Sequence, residues 1–138
     1  MDLTRAASER ITQSWWLLKI TYGLLFVIAG ADKFFNLVTE WQQYASPYIF
    51  KVIPLSLQQF MFGVAIIEIV IGLIILAGTS LVLTRLGAYL AMIWLLIIVV
   101  NLLSMGTYFD IAVRDTVMAI GALVLALLCD VQEELLLK

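Results

Sequence analysis

Histidine is absent from this chain of 138 residues, and cysteine occurs once, as Cys129. Imidazole ligation of haem is thereby excluded, as are an intramolecular disulfide and a dithiol redox pair. Zinc, copper and iron–sulfur centres normally draw on His and Cys ligands, so no metal site and no intrinsic cofactor is expected. Charge is scarce as well: 13% of residues are Asp, Glu, Lys or Arg. The eight Lys and Arg are scattered and no glycine-rich phosphate loop occurs, which argues against nucleic acid as a partner. The formal net charge of −2 points to no particular partner.

What remains is apolar. Hydrophobic residues make up 64% of the chain and the mean hydropathy is +1.08, against about 45–50% apolar residues in a soluble domain. The excess lies in blocks at 14–31, 58–78, 85–103 and 112–130. Each is close to the roughly 20 residues a helix needs to cross a bilayer. Backbone polar groups in hydrocarbon must bond within the protein, and runs without alternation favour helices over barrel strands. The expected fold is all-α: a polytopic membrane four-helix bundle occupying residues 1–138 as one domain. "MDLTRAASER" carries two acids and two arginines, and no small-residue cleavage site follows the first block, so that block is expected to stay as a helix.

The connections differ. "TSLVLT" is short and makes a hairpin of the second and third segments, and "LLSMGTYFDI" joins the third to the fourth. The first connection is long and holds Phe34, Phe35, Trp41, Tyr44, Tyr48 and Phe50, together with both prolines, Pro47 and Pro54. Trp and Tyr gather at the membrane–water boundary, so residues 34–45 are expected to form a short helix lying on the interface. Four spans put both termini on one side. That side carries Arg5, Arg10, Lys19, Arg85 and Lys138, and the other Lys33, Lys51 and Arg114. The balance favours cytoplasmic termini. Cys129, near that end of the fourth segment, reads as a small packing residue, and "DVQEELLLK" as an amphipathic extension of the last helix.

Membrane helices approach where residues are small. Such stripes are Gly23, Phe26 and Gly30; Ala65, Glu68 and Gly72; Gly87, Ala91, Trp94 and Asn101; and Arg114, Met118, Gly121 and Leu125. Each carries, or ends beside, a polar group, so small faces and polar groups turn inward together. Glu68 falls near mid-membrane, where a carboxylate needs a cation or a proton; Lys33, Arg114 and Lys19 are the candidate cations. Asp32, Lys33, Asn101, Asp110, Arg114 and Asp115 should share one depth on the non-cytoplasmic side, with Glu68 about 10 Å or more below them at 1.5 Å per residue. Asp110 and Arg114, four apart, would share a helix face. These seven residues are the candidate polar pocket, with Tyr22 and Trp94 as further lining. They could bind a head group, a proton or a small solute; equally, they could be a salt-bridge network that sets bundle register.

Two stretches carry a family resemblance. "YGLLFVIAGADKFF" (22–35) resembles the first-helix signature of DoxX-like membrane proteins. "EIVIGLIILAGTSLVLTRLGAYL" (68–90) is similar to their second-helix pattern, Glu-x3-Gly-x5-Gly followed by a basic residue. The resemblance spans about residues 15–130 and carries over to Gly30, Lys33, Glu68, Gly72 and Arg85 as motif positions. It implies a four-helix protein of the bacterial inner membrane, linked with membrane redox systems that include a quinone-reducing thiosulfate oxidase, and with oxidative-stress complexes. Three functions are then open. The first is an accessory subunit of a quinone-linked redox system with a membrane or periplasmic redox partner. The second is a small-solute binder or transporter, which at this size would work as a homo-oligomer. The third is an assembly or scaffold factor. No self-contained catalytic motif is present, and quinone is the only cofactor the first reading brings.

Overall fold

The computed structural model describes residues 3–137. Among these residues there are four α-helices and no strand: α1 (Leu3–Asp32), α2 (Leu57–Ala77), α3 (Leu81–Met105) and α4 (Phe109–Leu136). All four are long and apolar enough to cross a membrane. α1 and α4 are longer than the apolar blocks that define them. At 1.5 Å per residue the 30 residues of α1 span about 45 Å, against a hydrocarbon core of about 30 Å. The polar residues at both ends of the chain continue the helices because nothing breaks them.

α1 packs against α2, α2 against α3 and α3 against α4, and α4 returns to α1; across the diagonal α1 and α3 barely touch. The seams are lined by small residues. Ala65, Ala88, Ala91, Ala122 and Ala126 are fully buried, and Gly72 lies so close to α1 that an added Cβ would stand 2.8 Å from the Gly23 carbonyl oxygen and from Val27 N. Gly30 meets the backbone of Ala65 in the same way. Leu, Ile and Val side chains such as Leu17, Ile28, Ile66, Val100 and Val117 face outward, as lipid-facing surfaces require.

At the end that holds both termini, polar side chains tie helix to helix. Thr12 and Gln132 bond across α1 and α4, and the Trp15 indole donates to Cys129 Sγ at 3.2 Å. Arg85 on α3 pairs with Asp130 and Glu133 on α4. Lys19 Nζ donates to the Gly78 carbonyl at 2.8 Å and so closes the C-terminus of α2; a cation is favoured there by the helix dipole.

The first connection departs from expectation. No α-helix forms over 34–45. α1 stops at Asp32, Asn36 takes a left-handed conformation (φ 51°), and regular structure resumes only as single 3-10 turns at Trp41–Tyr44 and Ile49–Lys51. The reason is local competition. The Asp32 carboxylate accepts from Leu37 N (2.9 Å), Val38 N (3.1 Å) and Trp41 Nε1 (2.7 Å), which folds the chain back over the end of α1 instead of letting it run along the interface.

Candidate functional site

The folded-back segment roofs a cavity of about 310 Å³ set among α2, α3 and α4 at the end away from the termini, with Lys33 entering it from just past α1. Trp41, Tyr44 and Ile49 form the roof. Phe60 and Val64 of α2 and Ile98 of α3 supply apolar wall, and Lys33, Glu68 and Trp94 close one side. Arg114 and Asp115 reach it from α4.

Glu68 is 4% exposed and Lys33 7%. Lys33 Nζ lies 2.5 Å from Glu68 Oε2, and the Trp94 indole donates to Glu68 Oε1 at 3.2 Å. Lys33 also donates to the Ala29 carbonyl at 3.3 Å, and its ammonium sits 3.7 Å from the centroid of the Trp41 ring. Lys33 therefore bridges the depth expected to lie between Glu68 and the charged ring. Gly30 lets α1 approach α2 closely, and the four-carbon stem of Lys33 spans what is left. Of the three candidate cations only Lys33 meets Glu68. Lys19 serves the far end of α2, and Arg114 binds Asp115 Oδ1 through Nε and Nη2, each at 3.0 Å.

The remaining polar residues divide by task. Asp32 holds the roof through the bonds already described and does not line the cavity. Asn101 lines it, yet is spent on the same roof: its Oδ1 accepts from Ser46 N at 3.0 Å and its Nδ2 donates to the Tyr44 carbonyl at 2.6 Å. Ser104 Oγ donates to Ser46 Oγ at 3.0 Å, and the Tyr44 and Tyr108 rings stack edge-on at 4.9 Å. Asp110 shares the start of α4 with Arg114, but it is exposed, stands outside the cavity, and its side chain makes no hydrogen bond or ion pair among the described residues; Arg114 turns to its nearer neighbour. Tyr22 also lies elsewhere, its hydroxyl donating to the Met118 carbonyl at 2.6 Å against Gly121. Trp94 does line the cavity, as expected.

Sequence reasoning passed over Trp41, Tyr44 and Ser46 as site residues. From the sequence Trp41 reads only as a boundary aromatic; its place between the Asp32 carboxylate and the Lys33 ammonium depends on a chain reversal at Asn36 that no spacing announces.

Four membrane-crossing helices closed around a buried ion pair define a multi-pass membrane protein of the four-helix class. A family model described as DoxX matches residues 14–104, and the chain belongs to the DoxX family. The match takes in α1 from residue 14 onward, the roof, α2 and most of α3, and so Lys33, Glu68, Trp94 and Asn101; α4 with Arg114 and Asp115 lies beyond it, which is shorter than the 15–130 of the resemblance. No curated protein and no solved structure matches the chain.

Proposed function

We propose that this protein binds the ring of a quinone-type molecule in the roofed cavity, as an accessory subunit of a membrane redox system. The cavity itself is the observation that carries this reading. Its volume sits at the lower end of ligand pockets, about 300–1,000 Å³, which suits one substituted ring and not a two-chain lipid. Its lining is mostly aliphatic and aromatic, with a few polar groups. A charged solute would lose its hydration there for too few partners, whereas a ring with two oxygen substituents needs few. The DoxX membership, and the link of such proteins with membrane redox systems, agrees with it.

Interconversion of quinone and quinol moves two electrons and two protons. The electrons are supplied or taken by a partner subunit carrying a redox centre, since this chain has no histidine and a single cysteine to build one. The contribution of this chain is to hold the ring, exclude water from it and set carboxyl groups beside it. The scaffold reading keeps one observation in its favour: no buried side-chain nitrogen or oxygen among the described residues lacks a partner, as a fastening network requires. The two roles share the Lys33–Glu68 pair without conflict.

The test uses the protein in nanodiscs and a short-chain benzoquinone. Trp41 and Trp94 border the cavity, so a bound ring should quench tryptophan fluorescence saturably. Val64→Phe and Ile98→Phe, which fill the cavity without touching an ion pair, should weaken the response about tenfold, a loss of about 1.4 kcal/mol. Quenching that is linear in quinone, and equal in the filled variants, overturns the reading.

A further inference from the structure

The hydrogen-bond inventory of the cavity narrows its ligand, given the quinone-type reading above. Most of the buried donors are taken by the protein. Lys33 directs its ammonium at Glu68, the Ala29 carbonyl and the Trp41 ring. The Trp94 indole is held by Glu68, the Trp41 indole by Asp32 and the Asn101 amide by the Tyr44 carbonyl. Both oxygens of Glu68 are occupied. Asp115 differs. It is 5% exposed and lines the cavity, and its Oδ1 takes both bonds from Arg114. Its Oδ2 accepts no hydrogen bond among the described residues, yet no sealed side-chain oxygen is left without a partner there, so Oδ2 opens onto accessible space. The Arg114 guanidinium, whose side chain is 62% exposed, retains N–H groups on Nη1 that no protein atom takes.

An open carboxylate oxygen matches a hydroxyl, which donates to it. A carbonyl cannot donate to Asp115, and it brings its lone pairs towards a carboxylate. We propose that the cavity selects the hydroxylated, reduced form of the ring, a quinol or phenol, over the corresponding quinone, and that Asp115, held in place by Arg114, is the specificity-determining residue. A hydrogen bond to a charged acceptor is among the stronger ones in proteins, and a preference of about tenfold is expected. For a two-electron couple, tenfold tighter binding of the reduced form raises the potential of the bound ring by about 30 mV. The subunit therefore favours reactions that leave the ring as quinol.

Three probes with one ring decide it: trimethylhydroquinone, its dimethyl ether and trimethylbenzoquinone, titrated anaerobically into the protein in nanodiscs and followed by calorimetry. The hydroquinone should bind the wild-type protein about tenfold more tightly than either of the others. In Asp115→Asn, checked for helix content by circular dichroism, the amide can turn its NH2 to the cavity, and the ranking should collapse or invert towards the quinone. Equal binding of hydroquinone and quinone by the wild-type protein overturns the proposal while leaving a ring site in place, and needs no variant to fold. Survival of the preference in a folded Asp115→Asn overturns it as well. If none of the three binds better than it does to Val64→Phe, the ring-binding reading itself falls, and this inference with it.

Discussion

Lys33 and Glu68 carry opposite charges into the interior of the bundle, where each is tolerable only because of the other. Leaving either alone strands an ion or forces a change of protonation, and breaking such a buried pair from one side costs about 3–5 kcal/mol in proteins. Replacing both partners by apolar residues of similar volume is often close to neutral. Glu68→Leu and Lys33→Met should each lower unfolding stability in detergent by about 3 kcal/mol, and the double variant should recover more than half of the summed loss, read from denaturation followed by circular dichroism. Additive losses would show that the two side chains do not act as a pair. That Glu68 needs a partner can be seen in the sequence, because a carboxylate amid "VAIIEIVIG" has nowhere to go. Which cation answers it cannot: Lys19, Lys33 and Arg114 differ in reach and direction, and the choice follows from how closely α1 and α2 approach.

That approach belongs to the scale of the helix. Gly72 and Gly30 face backbone across the α1–α2 seam, beside the stiff β-branched side chains of Val27 and Ile69. Gly63, on the same helix, meets nothing within 4 Å. Gly72→Ala should therefore push the helices apart and lower stability by about 1–3 kcal/mol, enough to loosen the Lys33–Glu68 contact. Gly63→Ala should be neutral or stabilising by up to about 1 kcal/mol, since alanine is the better helix former. Thermal unfolding of both variants in one detergent checks the contrast; similar losses would contradict the seam. The small-residue stripes are visible in the sequence, but Gly63 looks no different there from Gly72. The connection between α1 and α2 shows the same limit. Its aromatic content and its prolines mark it as a boundary segment, whereas its actual path is set by Asp32 and Asn101, two polar residues some 70 positions apart.

For the whole molecule, the four-membered ring of helices places the start of α1 beside the end of α4, as the Thr12–Gln132 bonds require. The start of α1 and the end of α4 therefore lie on one face of the membrane, and from the distribution of Lys and Arg we propose that this face is the cytoplasmic one. Expressed in a bacterium, a green fluorescent protein fused to the C-terminus should fluoresce, and alkaline phosphatase fused after Val52, in the roof segment, should be active. The reverse pattern would put the cavity on the cytoplasmic side and move any redox partner with it.

Fold class and membrane residence were already implicit in the order of residues. Long apolar blocks without alternation leave a chain one stable solution in lipid, helices that satisfy their own backbone, and that argument is local to each segment. That Glu68 must find a buried partner was implicit too, because hydrocarbon offers it no alternative. The cavity was not. Its roof, its inventory of spent and open hydrogen-bonding groups, and the division of Asp32, Asn101 and Asp115 into two structural pins and one open acceptor arise where four helices and a folded-back loop meet. Such positions are set by close packing among segments distant in the chain, where a shift of one methyl group decides which atoms touch; a linear pattern carries no record of that distance.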